Sequence, residues 1–274
     1  MEEFVKDLQE KQKQKNEKIK EHKEEPIKPI IKASKEEEEN FSNIDKKIKN
    51  GEIKVLSVDN NENIKSDLTF KLIVIGNSFV GKSSLVERAI KNRFLGDYSA
   101  TIGFDYCSFF LSYDSKIIKL QIWDTCGQEI YQSLITNFYK NSSLAIMVYA
   151  INDRSSFENL DNWLKELKRE SNPDVKLILI GNKADLEKDR VVSYEEANVY
   201  SKEYKFTSFF ETSAKTGLNA QKVFINAALV LYEDYLKYIE NEANNPKIKK
   251  NINNNNKNKV LTKRNKKVKK SGCC

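Results

Sequence analysis

No stretch of the 274 residues approaches the roughly 18 consecutive apolar residues that a membrane-spanning helix needs. Cysteine is scarce as well. Four in the whole chain cannot make a disulfide framework, and two of them, Cys273 and Cys274, are neighbours. The opening Met1-Glu2-Glu3-Phe4 lacks an apolar core, so no signal peptide is expected. Glu2 stands where N-myristoylation requires glycine. These absences predict a cytosolic chain with reduced thiols. Acid is missing from residues 243–274, which hold 11 Lys/Arg, while residues 1–68 hold 15 against 17 Asp/Glu and residues 69–242 hold 21 against 23. The net charge of +7 therefore sits entirely in the last segment. A near-neutral body with a basic tail argues against a nucleic-acid partner and for a tethered surface.

Composition divides the chain in three. Residues 1–67 are mostly Lys, Glu, Asn and Gln and read as a charged, disordered arm. A charged helix over Asp7 to Glu25 is compatible with the residue types, with Pro26 and Pro29 ending it. Folding on contact with a partner is the other reading of the arm. Residues 68–242 carry alternating strand-length apolar runs and helical periodicity. Strands are expected at 69–75, 105–113, 116–123, 144–150, 175–181 and 206–211, and helices at 83–93, 128–140, 155–170, 193–204 and 218–240. Tyr113-Asp114-Ser115 reads as the turn of an antiparallel hairpin. The remaining alternation implies parallel strands with helices on both faces, and sites at the strands' carboxyl ends. Residues 243–274 form an Asn- and Lys-rich tether.

What is present at those strand ends is chemistry. Gly76-Asn77-Ser78-Phe79-Val80-Gly81-Lys82-Ser83 is G-x-x-x-x-G-K-S between an apolar strand and an amphipathic helix. Its glycines let several N–H groups face an anion. Lys82 brings a charge for the β- and γ-phosphates, and the Ser83 hydroxyl suits Mg²⁺. Thr101, ahead of Ile102-Gly103, can offer a hydroxyl to Mg²⁺ and an N–H to a γ-phosphate. In Trp123-Asp124-Thr125-Cys126-Gly127-Gln128-Glu129, Asp124 ends a strand and can hold the Mg²⁺ shell through water. Gly127 permits close backbone approach, and Gln128 can orient an attacking water. Asn182-Lys183-Ala184-Asp185 follows another strand. Asp185 is a bidentate acceptor for the N1–H and N2 amino group of guanine, a donor pair that adenine lacks. Glu211-Thr212-Ser213-Ala214-Lys215 follows the last strand.

With five motifs in this order, residues 69–242 resemble the Ras-like small GTPases, and within them the Rab family. The Rab resemblance rests on Ile102-Gly103-Phe104-Asp105-Tyr106, on Lys119-Leu120-Gln121-Ile122-Trp123-Asp124-Thr125, and on Cys273-Cys274. It implies a P-loop small-GTPase domain of α/β class, with a six-stranded, mostly parallel sheet, one antiparallel strand and helices on both faces. It places Ser78, Phe79, Val80, Gly81, Lys82, Ser83, Ser84, Thr101 and Gly127 around the phosphates. Phe94, Asn182, Lys183, Asp185, Ser213, Ala214 and Lys215 fall around guanine, with the Ala214 N–H on O6. Ser83, Thr101 and Asp124 serve Mg²⁺, Gln128 is catalytic, and Tyr98 folds over the phosphates. Tyr106, Trp123 and Phe138 match an aromatic triad presented to effectors; the plain alternative for each is core packing.

The same resemblance implies an exchange factor, a GTPase-activating protein that brings an arginine, a prenylation escort, a GDP-dissociation inhibitor and effectors for vesicle traffic. It further implies a monomer, with two geranylgeranyl groups on Cys273 and Cys274. These would hold it on the cytosolic face of an intracellular membrane, with a soluble GDP-bound pool. Phe79, Cys126, Ile130, Gln132 and Ala150 depart from the family's usual residues. They keep a second reading open, a slowly hydrolysing GTP-bound scaffold on membranes. An ATP-dependent enzyme is opposed by Asp185.

Overall fold

The apolar run before the phosphate loop forms β2 (Leu68–Ile75), in the middle of a seven-stranded sheet. The computed structural model describes residues 35–56, 64–94, 104–125 and 138–244. Along the chain, α1 (Lys35–Lys49) and β1 (Ile53–Leu56) precede β2. Then come α2 (Lys82–Lys91), β3 (Phe104–Tyr113), β4 (Lys116–Thr125), β5 (Leu144–Ala150), α3 (Arg154–Glu158) and α4 (Leu160–Glu170). The chain continues with β6 (Lys176–Asn182), a 3₁₀ helix (Ala184–Asp189), α5 (Tyr194–Glu203), β7 (Ser208–Glu211) and α6 (Ala220–Asn244). Strand order is β1-β3-β4-β2-β5-β6-β7.

β2 pairs in parallel with β4 and β5, and β5, β6 and β7 continue in parallel. β3 alone runs the other way, antiparallel to β4 on one side and β1 on the other. Asp114 and Ser115 make the β3–β4 turn with φ of 48° and 56°. Both central residues then have the positive φ that suits the right-handed twist of a hairpin. In β2, Leu72 and Val74 point into one apolar cluster while Ile73 and Ile75 point into the other. Both sets are buried, as expected of a central parallel strand covered on both faces. The first cluster receives Leu85 and Val86 of α2 and Val223, Phe224, Ala227, Ala228 and Leu231 of α6. Those five α6 positions have the helical spacing of a buried face, and all are buried. The second cluster receives Leu160, Trp163, Leu164 and Leu167 of α4 and Ala197 of α5.

The fold class is the expected one, with two differences. The sheet has seven strands where six are expected, and the added one comes from the supposed arm. The expectation of a structureless arm over 1–67 fails for residues 35–56. Phe41 and Ile44, one helical turn apart on α1, and Ile53 of β1 are all buried in the α2/α6 cluster. Phe41 stacks 4.6 Å from Phe210 of β7, and β1 pairs Ile53 to Leu56 with Tyr113 to Phe110. A high charge content hid three well-placed apolar residues. The expected helix at 155–170 is two helices, α3 and α4, parted at Asn159, whose side chain reaches Asn77 of the phosphate loop. The expected helix at 128–140 lies almost wholly outside the described residues, as do residues 1–34 and the tether beyond 244. No helix among the described residues is long and apolar enough to cross a membrane.

Candidate nucleotide-binding site

The site is assembled where β2, β4, β6 and β7 end. Gly76 turns the chain out of β2 with φ of 141°; a Cβ there would sit 2.1 Å from the Val148 carbonyl oxygen of β5. Gly81, at the start of α2, has φ of 92°, and its Cβ would meet the Asn182 amide nitrogen at 2.4 Å. Both positions therefore exclude a side chain by position and by conformation. Between them, Asn77 is anchored to α4: its Oδ1 accepts from Trp163 Nε1 at 2.8 Å and from Asn159 Nδ2 at 2.6 Å. Val80 is buried and Ser78 half-buried, while Phe79 is 65% exposed with φ of 62°. A bulky residue in the left-handed region is strained.

Lys82 opens α2 and is buried. Its Nζ donates to the carbonyls of Gly76 and Asn77, both at 2.8 Å, so the ammonium lies inside the loop's curl. Ser83 and Ser84 follow in the first helical turn, half-buried. Asp124, at the end of β4, is buried. Burial pushes its carboxyl up to about 6, against the hydrogen bond from Ser83 and the charge of Lys82. Asp124 Oδ1 finds no hydrogen-bond donor among the described residues. A buried carboxylate with a spare oxygen, beside a serine and a lysine, costs free energy unless a cation or charged donor meets it. These residues fit a divalent cation, with Ser83 and Asp124 as the groups that would hold it.

Asn182 joins three segments. Its Nδ2 donates to the Val80 carbonyl at 2.8 Å, and its Oδ1 accepts from Thr212 Oγ1 at 3.1 Å. The structure thus commits this side chain to bracing the phosphate loop against the last strand. Lys183 adopts φ of 65° ahead of the 3₁₀ helix, and burial lowers its pKa, against the Asp153 and Asp185 carboxylates that raise it. Asp185 is half-buried, and its Oδ1 accepts from Ser213 Oγ at 2.6 Å. The Ser213 hydroxyl in turn accepts from the Thr216 N–H at 3.1 Å. Asp185, Ser213 and the buried Ala214 therefore sit together. Lys215 is exposed, and Phe94 is half-buried against the α2/α6 cluster.

The aromatic triad is a tetrad in the structure. Trp123 contacts Tyr106 edge-on with ring centroids 5.1 Å apart and lies 5.1 Å from Phe138. Phe104 joins them, 5.5 Å from Trp123 and 4.4 Å from Phe138. Phe104 and Tyr106 are both exposed. Their two-residue spacing on β3 is the signal that puts Phe104 on the same face. Thr101, Gly127, Gln128, Tyr98, Cys126, Ile130, Gln132, Cys273 and Cys274 lie outside the described residues.

The sequence reading missed the connectors: Asn77, Trp163, Asn159 and two arginines. Arg190 makes a paired contact with buried Glu211, Nη1 to Oε1 at 2.6 Å and Nη2 to Oε2 at 2.8 Å, at the start of the Thr212–Lys215 segment. Arg88 of α2 donates to the main chain of that same segment. A model of the Ras family matches residues 71–233, more than half of the chain and every described part of the site. The chain belongs to the Ras family, the small GTPases that bind GTP and GDP with Mg²⁺ and act as molecular switches.

Proposed function

We propose that this chain is a Rab-type switch: it binds and hydrolyses GTP, and its GTP form recruits effectors on the cytosolic face of an intracellular membrane. The observation that carries the nucleotide part is the juxtaposition of Asp185, Ser213 and Ala214 beside a phosphate loop whose lysine is buried within it. Asp185 accepts two hydrogen bonds from guanine, and the Ala214 N–H faces O6. Leaving the Asp185 carboxylate unpaired against adenine sets the preference for guanine. The N–H groups of residues 78–84 and the Lys82 ammonium hold the β- and γ-phosphates. Ser83, Thr101 and, through water, Asp124 hold Mg²⁺, which when bound neutralises charge building on the phosphate oxygens. Gln128 orients the attacking water, and an arginine from an activating protein completes the site. Thr101 and Gln128 report the γ-phosphate through the order of their loops.

The Rab-type reading rests on Ile102–Tyr106, on Lys119–Thr125, and on Cys273 and Cys274 behind Lys263, Arg264, Lys266, Lys267, Lys269 and Lys270. Phe104, Tyr106, Trp123 and Phe138 are the effector face. Two lipid chains hold a protein on a bilayer where one does not, and each nearby cation adds about 1 kcal/mol on an anionic leaflet. Exchange factor, escort and dissociation inhibitor act on this same cycle. The test has two arms. Purified protein should bind GTP over ATP and hydrolyse it, and Gln128→Leu should slow turnover; equal rates in both would remove Gln128 from its role. In cells, Cys273→Ser with Cys274→Ser should release the protein from membranes with nucleotide binding intact. Membrane retention would remove the lipid reading.

The strained, exposed Phe79 favours a second reading, a scaffold that keeps its GTP. Nucleotide analysis after long incubation with activating proteins separates the two: persistent GTP supports the scaffold, and GDP the switch.

A further inference from the structure

We infer that Arg88 positions the guanine pocket, acting through the main chain on both of its sides. The inference rests on the guanine reading above. Arg88 lies on α2, two turns beyond Lys82, and reaches across to the segment after β7. Its Nε donates to the Ala214 carbonyl and its Nη2 to the Lys215 carbonyl, both at 2.7 Å. Its stem underlies the same turn: a Cβ added at Gly217 would touch Arg88 Cδ at 3.7 Å. The remaining arm, Nη1, donates to the Asn92 carbonyl at 3.0 Å. Asn92 ends α2 with φ of 50°, its N–H bonded back to the Arg88 carbonyl, and leads directly into Arg93 and Phe94.

One guanidinium therefore ties together the two stretches that flank the base. On one side is the turn bearing Ser213, the partner of Asp185, and Ala214. On the other is the chain leading to Phe94. Pinning the Ala214 and Lys215 carbonyls fixes the two peptide planes on either side of Lys215, and so anchors the Ala214 Cα to which the plane carrying the Ala214 N–H is joined. The turn's own bonds, Gly217 N–H to the Ser213 carbonyl and Thr216 N–H to Ser213 Oγ, hold its loop closed but do not themselves reach α2. Arginine suits this task because its planar fork presents five donors in fixed directions; an ammonium does not. Because Arg88 shares a helix with Lys82 and Ser83, it also sets the base site at a fixed offset from the phosphate site. Arg88 is a positioning residue: its donors meet the main-chain carbonyls of Ala214, Lys215 and Asn92.

The test uses full-length, GDP-loaded protein with Arg88→Ala, Arg88→Lys and, as a control, Arg169→Ala on the exposed face of α4. Release of a fluorescent GDP, the ratio of GDP to ADP affinity, and the thermal midpoint are measured on each. Arg88→Ala should release GDP about tenfold faster, as expected for losing charged hydrogen bonds to two carbonyls. The GDP-to-ADP ratio should fall with it, Arg88→Lys should not restore the ratio, and Arg169→Ala should match the parent. A lower thermal midpoint with an unchanged GDP-to-ADP ratio would make Arg88 a brace only and overturn the inference. Should Arg88→Ala yield no folded protein, Arg88→Lys decides on the same ratio. A parent protein with no preference for GDP would instead overturn the guanine reading itself.

Discussion

Removing the Phe41 ring should loosen the whole domain, although Phe41 lies 27 residues before the first strand that the family model covers in part. Its side chain is 92% shielded: it stacks on Phe210 at 4.6 Å, with Lys222 Nζ 5.1 Å above the ring. Phe→Ala in a core costs about 3–5 kcal/mol. Phe41 sits at the rim of its cluster, on a helix free to settle, so about 3 kcal/mol is the appropriate figure. In a domain of this size each kcal/mol lowers the midpoint by about 2–4 °C, giving a drop of about 6–12 °C. Asp45→Ala is the control. It breaks the 2.8 Å pair with Lys222, but both groups are substantially exposed, and such pairs contribute only about 0.2–1 kcal/mol. Full-length proteins should be melted with saturating GDP and Mg²⁺, because ligand occupancy itself shifts the midpoint. A Phe41→Ala midpoint within about 2 °C of the parent, no larger than the Asp45→Ala effect, would refute the docking of α1 onto the domain.

Three further outcomes follow from the site's geometry. Arg190→Ala leaves Glu211, 1% exposed, as an uncompensated buried charge, and should cost about 3–5 kcal/mol in thermal or urea unfolding. Arg190→Lys should recover little, since the paired contact needs two N–H groups; full recovery would argue that charge alone suffices. Gly81→Ala should abolish tight GDP binding, because its Cβ displaces the Asn182 amide from the Val80 carbonyl; titration with a fluorescent GDP reads this directly, and parental affinity would refute it. Burial, aided by the Asp124 and Asp105 carboxylates, pushes the Cys107 thiol up to about 12 from the ordinary 9.0. At pH 8 its thiolate is then about a thousandfold scarcer than a free one. Peptide mapping after iodoacetamide should find Cys107 unlabelled until the protein is unfolded. Above pH 9 the unfolded chain loses this proton while the folded chain keeps it, so this group makes stability fall as pH rises.

Much of the fold was legible because central parallel strands read as plain apolar runs. Leu144–Ala150 and Lys176–Asn182 could be placed to within a residue on that basis alone. Periodicity did the same for α6, whose Val223, Phe224, Ala227, Ala228 and Leu231 are all buried. It failed for α1 and β1. There, Phe41, Ile44 and Ile53 are separated by Asp45, Lys46, Lys47 and Lys49, and the local average is dominated by charge. Those charges are not merely solvated. Asp45 meets Lys222, and Lys47 donates to the Tyr113 hydroxyl at 3.0 Å. A helix and a short strand that rest on three buried apolar residues and a few long-range polar contacts have little local pattern to show, because their stability comes from partners some 60 residues away or more.

The site divides along the same physical line. Groups proposed to face the nucleotide are tied to short spacings, since a curled loop or a strand end must deliver them to one small ligand. Gly76, Gly81, Lys82, Ser83, Asp124 and Asp185 could therefore be named from the chain alone. Groups that hold those residues in place bond to main-chain carbonyls or to side chains far along the sequence. Arg88 to Ala214 spans 126 residues, Trp163 to Asn77 spans 86, and Asn182 to Val80 spans 102. A main-chain carbonyl is present at every residue, so its use as an acceptor leaves no mark in the residue types around it. Asn182 shows both sides of this. Its place in Asn182-Lys183-Ala184-Asp185 advertised a guanine contact, yet its amide is occupied by the phosphate loop and by Thr212. The asparagine in that motif therefore also braces the phosphate loop against the segment after β7. Substitutions at connectors of this kind should alter nucleotide release and selectivity without removing a single group that touches the ligand.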